Sequence, residues 1–217
     1  MARAVRPTMS DDRADYPAFA EEQGAHWQYP INYAVRDYQF NIVQRALFSN
    51  TLVSLPTGLG KTFIAAVIMF NYYRWFPTGK VVFMAPTRPL VLQQVDACRK
   101  ATGIPQSDTA AMTGSIAAEQ RALLWKSRSV FFLTPQTLQN DLLTGICPAR
   151  SITCLVIDEA HRYAALCVLE PRANFTAERK ETTRIARSCA FCLSAGVAFA
   201  FWPFLRRQAT ITKRCRR

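Results

Sequence analysis

The 217-residue sequence lacks the features that mark a secreted or membrane-spanning chain. Residues 1–10 contain no apolar stretch, so nothing there resembles a signal peptide. The uncharged run at 189–205 has 17 residues and includes Pro203, whereas a membrane span usually needs about 20 residues. The seven cysteines are an odd number without framework spacing, which favours a reducing intracellular compartment.

Acidic residues are scarce in the C-terminal part of the chain. Residues 162–217 hold 12 Lys or Arg against 3 Asp or Glu, whereas residues 1–161 hold 15 against 12. The net charge of +12 therefore comes mostly from the tail. A basic chain suggests nucleic acid as a partner, but this distribution says little about what the nearly neutral body binds.

Between residues 37 and 158, patterns typical of helices and strands alternate. This alternation predicts an α/β fold with a parallel sheet covered by helices on both faces. Residues 1–30 are polar and dotted with proline, and are predicted to be mostly disordered. The alternation fails after residue 162, so residues 163–217 are interpreted as an irregular basic tail. The predicted helices are 37–48, 62–76, 89–102, 116–126 and 136–143, and the predicted strands are 51–55, 81–85, 109–112, 129–134 and 152–158.

The stretch Pro-Thr-Gly-Leu-Gly-Lys-Thr at residues 56–62 has the pattern of a phosphate-binding loop. Gly58 and Gly60 allow a close approach of the backbone, and the amides of residues 58–62 can point at an anion at a helix N-terminus. Lys61 would reach the β- and γ-phosphates of ATP, and Thr62 would place its hydroxyl on Mg²⁺. The usual pattern begins with glycine, and Leu55 stands at that position.

A second set of chemical groups follows the apolar segment at residues 152–157. Asp158 and Glu159 end that predicted strand, where a carboxylate faces the ligand crevice of an open α/β sheet. Asp158 would hold Mg²⁺ through water, and Glu159 would orient or deprotonate the attacking water. His161 is predicted to sense the γ-phosphate.

Gly-Lys-Thr followed about 100 residues later by Asp-Glu-Ala-His resembles the first motor domain of superfamily 2 helicases. Residues 31–161, including the segments between the motifs, resemble the Fanconi anaemia complementation group M family in particular. The resemblance implies a RecA-like domain at about 31–162 and an ATP- and Mg²⁺-dependent DNA translocase that acts on branched DNA in the nucleus. It also implies possible partners among repair-complex proteins.

The resemblance assigns further residues where the family's motifs match. Arg36 and Gln39, in Arg-Asp-Tyr-Gln, would contact adenine, and Thr57, Gly58, Leu59 and Gly60 would complete the nucleotide site with Lys61 and Thr62. On the residues alone, Gln39 could instead be a polar residue on an exposed helix face. The residues implied to contact the DNA backbone are Thr87, Arg88, Thr113, Gly114, Thr134 and Gln136; Arg88 could also be a solvated loop charge.

The resemblance ends soon after His161. The family continues to a Ser-Ala-Thr motif, whereas residues 193–196 read Leu-Ser-Ala-Gly. No tail segment resembles the family's second motor domain, whose arginines stabilise the transferring phosphoryl group. The expectation is a chain that binds ATP but hydrolyses it slowly. The alternatives are an RNA helicase or RNA-sensing ATPase, and a non-catalytic binding module.

Overall fold

The computed structural model of the protein describes residues 16–160 together with the backbone of residues 197–201. Helices and strands alternate along the chain, as predicted. The helices are α1 (Glu21–Gly24), α2 (Asp37–Ala46), α3 (Lys61–Trp75), α4 (Arg88–Thr102), α5 (Ala118–Ser127) and α6 (Pro135–Leu143). The strands are β1 (Thr51–Val53), β2 (Lys80–Met84), β3 (Thr109–Met112), β4 (Val130–Leu133), β5 (Ile152–Ile157) and β6 (Val197–Phe201).

The six strands form one sheet in the order β1-β6-β5-β2-β4-β3. Strands β5, β2, β4 and β3 pair in parallel. Strand β6 lies between β1 and β5 and runs antiparallel to both. Parallel strands are usually buried on both faces and therefore read as continuous apolar runs. Strand β4 shows this, because all four of its residues are buried.

Helices cover both faces of the sheet. Val81 and Phe83 belong to the core that contains buried residues of α2, α3 and α4. Val82 and Met84 point to the opposite face and join a second core with Trp125 of α5 and Leu138 of α6. The side chains of a strand alternate between its faces, so β2 contributes to both cores. The predicted three-layer α/β fold is confirmed.

Helix α3 is the central helix of the first core. Nine of its 15 residues are buried, as expected for a helix that is apolar nearly all round. Helix α4 ends at Gly103, as predicted, with a φ of +67°. Glycine adopts this left-handed conformation without the steric cost that a Cβ atom brings.

The prediction of disorder for residues 1–30 is wrong for residues 16–30. The ring of Phe19 packs against Trp75 at the end of α3 and against Phe76 just after it, with centroid distances of 6.3 and 5.5 Å. The amide of Gln28 donates a hydrogen bond of 2.7 Å to the side chain of Asn71. Aromatic residues scattered in a polar segment thus find an apolar surface on α3. Residues 1–15 lie outside the described part of the chain.

The interpretation of the tail as irregular is wrong for residues 197–201, which form β6. The sheet is consequently not wholly parallel, because this strand reverses the direction of its two neighbours. The remainder of the tail, including residues 193–196, lies outside the described residues, as does His161. Within the described residues, no helix has the length and apolar character needed to cross a membrane.

Candidate nucleotide and nucleic-acid site

Residues 54–60 connect β1 to α3 and contain most of the phosphate loop predicted at 56–62. Gly58 and Gly60 have φ values of +86° and +82°, in the left-handed region that favours glycine. Helix α3 begins at Lys61, so its N-terminus faces the loop with the positive end of the helix dipole. The Nζ atom of Lys61 donates a hydrogen bond of 2.9 Å to the carbonyl of Leu55. The side chain of Lys61 therefore lies across the phosphate loop, from which it was predicted to reach the phosphates of ATP.

Gln39 contacts the phosphate loop directly. Its side chain is only 5% exposed, and its Nε2 atom donates a hydrogen bond of 3.1 Å to the carbonyl of Leu59. The alternative of a polar residue on an exposed helix face is therefore wrong. A Cβ atom added at Gly60 would lie 2.3 Å from the same Nε2 atom. Glycine at position 60 is thus required both by its φ and by the close approach of Gln39.

Tyr38 is a residue of this site that the sequence analysis missed. Its hydroxyl donates to the same carbonyl of Leu59 at 3.1 Å. The exposed side chain of Arg36 donates in turn to that hydroxyl at 3.2 Å. Arg36, Tyr38 and Gln39 therefore approach the loop from one helix terminus. Tyr38 stands inside the Arg-Asp-Tyr-Gln motif, and its neighbours were the signal that could have identified it.

Asp158 and Glu159 follow directly after β5, as predicted. The amide of Asp158 donates to the carbonyl of Met84 at 2.9 Å, which fixes it to the end of β2. The amide of Glu159 donates to the Oδ1 atom of Asp158 at 3.0 Å. Glu159 has a φ of +52°, which is unusual for a residue with a side chain. Such local strain is found preferentially at functional sites.

The charge of Asp158 is unfavourable in this position. Burial raises the pKa of its carboxyl group, and the neighbouring charge of Glu159 raises it further. The hydrogen bond from the backbone of Glu159 and the positive charge of Lys61 act in the opposite direction. The influence of Lys61 indicates that its side chain is close enough to Asp158 for the two charges to interact.

The residues present fit a magnesium ion bound together with phosphate. A divalent cation would offset the unfavourable charge at Asp158, and Thr62 lies in the first turn of α3 with its side chain half-buried. The described residues contain no group of three or more His, Cys, Asp or Glu that could hold a metal by themselves. Mg²⁺ is commonly bound by one or two carboxylates with substrate phosphates and waters, so Asp158 and Thr62 would suffice.

The residues predicted to contact a nucleic-acid backbone lie on three loops that follow neighbouring strands, or in the first turn of the helix after the loop. Met84, Leu133 and Met112 end β2, β4 and β3 and are in register with one another. The three loops after them therefore emerge side by side, at the spacing of sheet strands.

These loops present exposed polar groups. Thr87, Arg88, Gly114 and Gln136 are exposed, and Thr113 and Thr134 are half-buried. A Cβ atom added at Gly114 would lie 3.5 Å from the Nη2 atom of Arg88, so these two residues of different loops are close together. The hydroxyl oxygens of Thr113 and Ser115 are 2.8 Å apart, and those of Thr134 and Thr137 are 3.0 Å apart. The structure brings the predicted contact residues to one surface.

The residues predicted to bind the nucleotide and those predicted to contact a nucleic-acid backbone lie at the same edge of the sheet. Main-chain hydrogen bonds connect the two groups. Besides the bond from Asp158 to Met84, the amide of Ala85 donates to the carbonyl of Leu133 at 3.1 Å. Strand β5, which carries the carboxylates, is thus joined by main-chain hydrogen bonds to the chain at the ends of β2 and β4, where two of the predicted backbone-contact loops begin.

An ion pair between Arg121 and Asp141 lies next to these loops. It did not follow from the sequence.

Comparison with known proteins identifies the family. The sequence profile described as DEAD/DEAH box helicase matches residues 36–198, which extends past the domain boundary predicted at residue 162. The chain is 62% identical over 142 residues to the ATP-dependent DNA helicase fml1 of Schizosaccharomyces pombe, a match that covers 65% of this chain and 17% of that protein. It is also 62% identical over 144 residues to the Fanconi anemia group M protein homolog of Mus musculus, covering 66% of this chain and 7% of that protein.

A solved structure agrees with these relatives. The crystal structure of the Pyrococcus furiosus Hef helicase domain superposes with a TM-score of 0.58 at 32% identity, covering 72% of this chain and 36% of that chain. The chain thus spans only a small part of the relatives it matches. The resemblance to Fanconi anaemia group M helicases and the RecA-like fold are confirmed. Since the profile match covers most of the sequence, the chain belongs to the DEAD/DEAH box helicase family.

Proposed function

We propose that this chain is the ATP-binding part of a nuclear ATP-dependent DNA translocase that acts on branched DNA in DNA repair, together with repair-complex proteins. In this proposal the phosphate loop and Lys61 hold the triphosphate of ATP, and Thr62 and Asp158 hold Mg²⁺. Arg36 and Gln39 contact the adenine, and the loops at 87–88, 113–114 and 134–136 contact the DNA backbone.

The observation that supports the nucleotide part is the loop before α3, with its left-handed Gly58 and Gly60, together with the effect of the Lys61 charge on Asp158. The phosphate loop follows β1 and Asp158 follows β5, and the charge of Lys61 acts on Asp158 although the two residues are about 100 positions apart in sequence. A cationic side chain, a helix N-terminus and a metal-binding carboxylate together match the charges of a magnesium-bound triphosphate. The names of the relatives, a DNA helicase and a Fanconi anemia group M homolog, support DNA as the nucleic acid.

Lys61→Ala tests the nucleotide part. ATP with Mg²⁺ should raise the melting temperature of the chain, because a ligand that binds only the folded state stabilises it. The variant should lose this increase. Lys126→Ala, which removes an exposed lysine in the last turn of α5, is the matched control and should keep it. Equal stabilisation of the Lys61→Ala variant and the unaltered chain by ATP would remove the phosphate-loop assignment.

Competition binding tests the nucleic-acid part. A labelled forked DNA should be displaced by unlabelled forked DNA better than by duplex DNA or by RNA of the same sequence. Preferential displacement by RNA would favour the RNA-helicase alternative, since the loops described contact a backbone without reading bases. Absence of binding to either probe in low salt would contradict the nucleic-acid part of the proposal, while leaving the nucleotide part intact.

A further inference from the structure

Helices α5 and α6 are joined by a buried ion pair. The Nε and Nη2 atoms of Arg121 each lie 2.8 Å from the Oδ1 atom of Asp141. The Nε1 atom of Trp125 donates a hydrogen bond of 2.9 Å to the other carboxylate oxygen, Oδ2. Asp141 has no exposed surface and the side chain of Arg121 is 13% exposed. Both oxygens of the buried carboxylate are therefore satisfied by donors from α5.

Arg121 makes a further contact that the ion pair does not require. Its Nη1 atom donates to the main-chain carbonyl of Ile116. The amide of Ile116 donates in turn to the carbonyl of Thr113 at 3.0 Å, which closes a tight turn over residues 113–116. This turn contains Thr113 and Gly114, two of the residues proposed to contact a nucleic-acid backbone. One guanidinium group therefore holds both the turn and Asp141.

Asp141 lies on the helix that begins with the next contact loop. Helix α6 starts at Pro135, after Thr134, and Asp141 lies about two helical turns further along the same rigid element. The amide of Cys147 donates to the carbonyl of Asp141 at 3.0 Å, so the chain after α6 is fixed to the same residue. The position of Asp141 therefore sets the position of the first turn of α6.

We propose that the Arg121–Asp141 ion pair is a positioning element that holds the 113–116 turn and the first turn of α6 at a fixed separation, so that both contact one nucleic-acid backbone at the same time. A binding site must be held to within about 0.5 Å by side chains that are themselves locked by packing and hydrogen bonds. Arg121 is suited to this role, because its planar fork of donors reaches a carboxylate and a carbonyl simultaneously. The inference rests on the nucleic-acid part of the proposed function.

Two variants separate positioning from a purely structural contribution. In Arg121→Lys the charge beside Asp141 remains, but an ammonium group cannot reproduce the fork that also reaches Ile116. In the triple variant Arg121→Met, Trp125→Phe, Asp141→Leu the whole buried polar cluster becomes apolar. Replacing a complete buried ion pair in this way is often neutral or stabilising, whereas removing one partner is not. Both variants leave the net charge of the chain unchanged.

The measurement is the salt dependence of binding to a labelled 20-nucleotide single-stranded DNA. Loss of one or two phosphate contacts should lower the steepness of log K against log[salt] by about 0.7 to 1.4. The matched control, Asp96→Asn with Arg99→Gln, removes one charge of each sign from the exposed surface of α4 and should keep the original slope. Stabilisation by ATP and Mg²⁺ should persist in every variant that folds, because the phosphate loop lies toward the other end of the sheet.

The results distinguish a positioning role of the ion pair from a purely structural one. A reduced slope with retained stabilisation by ATP in either variant supports the positioning role. An unchanged slope in both variants, or in the one that folds, overturns it and leaves the ion pair a structural contact. If the unaltered chain itself does not bind the DNA, the nucleic-acid part of the proposed function fails, and this inference fails with it.

Discussion

The side-chain amide of Gln39 donates a hydrogen bond of 3.1 Å to the carbonyl of Leu59, at the centre of the phosphate loop. The same amide nitrogen would lie 2.3 Å from a Cβ atom placed at Gly60. The residue proposed to recognise adenine is thus packed against the loop proposed to hold the phosphates. A change in the loop backbone should therefore disturb both parts of the nucleotide site.

Gly60→Ala should abolish stabilisation by ATP and Mg²⁺. A Cβ atom at this position meets the amide of Gln39 and also brings the strain of a left-handed conformation, about 1–2 kcal/mol. The measurement is the shift in melting temperature with ATP and Mg²⁺.

Gly145→Ala is the matched control for this strain. Gly145 has a φ of +73° and no atom within 4 Å of an added Cβ. This variant should lose a similar amount of stability and still respond to ATP. If Gly60→Ala responds to ATP as strongly as Gly145→Ala, the contact with Gln39 is not part of the nucleotide site.

Asp158→Asn should stabilise the chain in the absence of nucleotide and remove its response to ATP and Mg²⁺. The pKa of Asp158 is raised above its ordinary value of 3.8, mainly by burial and then by Glu159. The folded state therefore binds a proton more readily than the unfolded state does. Stability linked to the neutral carboxyl is present at low pH and is lost as the pH rises above about 3.8 through the raised pKa.

Asp158→Asn removes the loss of stability that ionisation of Asp158 causes. The Oδ1 atom of the asparagine can still accept the hydrogen bond from the amide of Glu159. At pH 7 its melting temperature should rise by at most about 2–4 °C, which corresponds to about 1 kcal/mol in a protein of this size. Asp96→Asn, at an exposed position on α4, should change little. A lower melting temperature for Asp158→Asn than for the unaltered chain would show that the carboxylate is stabilising without metal.

Local patterns in the sequence were sufficient to predict much of the fold and the site. The nearly all-apolar α3, the glycine that ends α4 and the carboxylates after β5 each follow from neighbouring residues, and the structure places them as predicted. The positions of Gly58 and Gly60 in the phosphate loop also follow from the local need for a left-handed backbone.

Features that depend on distant contacts were not predicted. Phe19 gave no periodic signal, and its burial requires the surface of α3, more than 50 residues away. The ion pair between Arg121 and Asp141 joins two helices, and neither residue belongs to a motif. Strand β6 is a short apolar segment that acquires its structure by pairing with β1 and β5. Such long-range pairings are not visible in the local pattern of a single sequence.

Ala198→Pro should destabilise the chain and weaken its response to ATP. Ala198 is paired with Leu52 of β1 on one side and with Ile157 of β5 on the other. Proline inside a sheet removes a backbone donor, and a buried partner left unsatisfied costs about 1–3 kcal/mol. Because β1 pairs with β6 among the described strands, the phosphate loop that follows β1 should also be affected.

Ala209→Pro, outside β6, is the comparison for this substitution. Thermal unfolding with and without ATP and Mg²⁺ is the measurement for both variants. Equal melting temperatures and equal responses to ATP would mean that β6 does not support the phosphate loop. In that case deletion of residues 163–217 should change only the salt dependence of DNA binding, through the loss of 11 Lys or Arg.

The 217-residue chain assayed by itself should hold ATP but turn it over slowly. Lys61, Thr62, Asp158 and Glu159 suit the bound triphosphate, its metal and a water molecule. Phosphoryl transfer also needs positive charge over the γ-phosphate while the bond breaks, and an arginine in that role contributes about 10³ to 10⁵ in rate. The positive charge of Lys61 acts on Asp158, and the proposal assigns this lysine to the phosphates of ATP in the bound state that precedes the reaction.

Steady-state release of phosphate tests this expectation, with Glu159→Gln as the background. Glutamine keeps the size of the side chain but cannot accept a proton from water, so it reports the rate without Glu159. The unaltered chain should exceed this background only slightly and should remain at least ~100-fold slower than a relative with two motor domains, taking the low side of the arginine contribution. DNA should change the rate little. Rapid hydrolysis that is stimulated by DNA and lost in Glu159→Gln would show that residues 161–217 complete a working catalytic site.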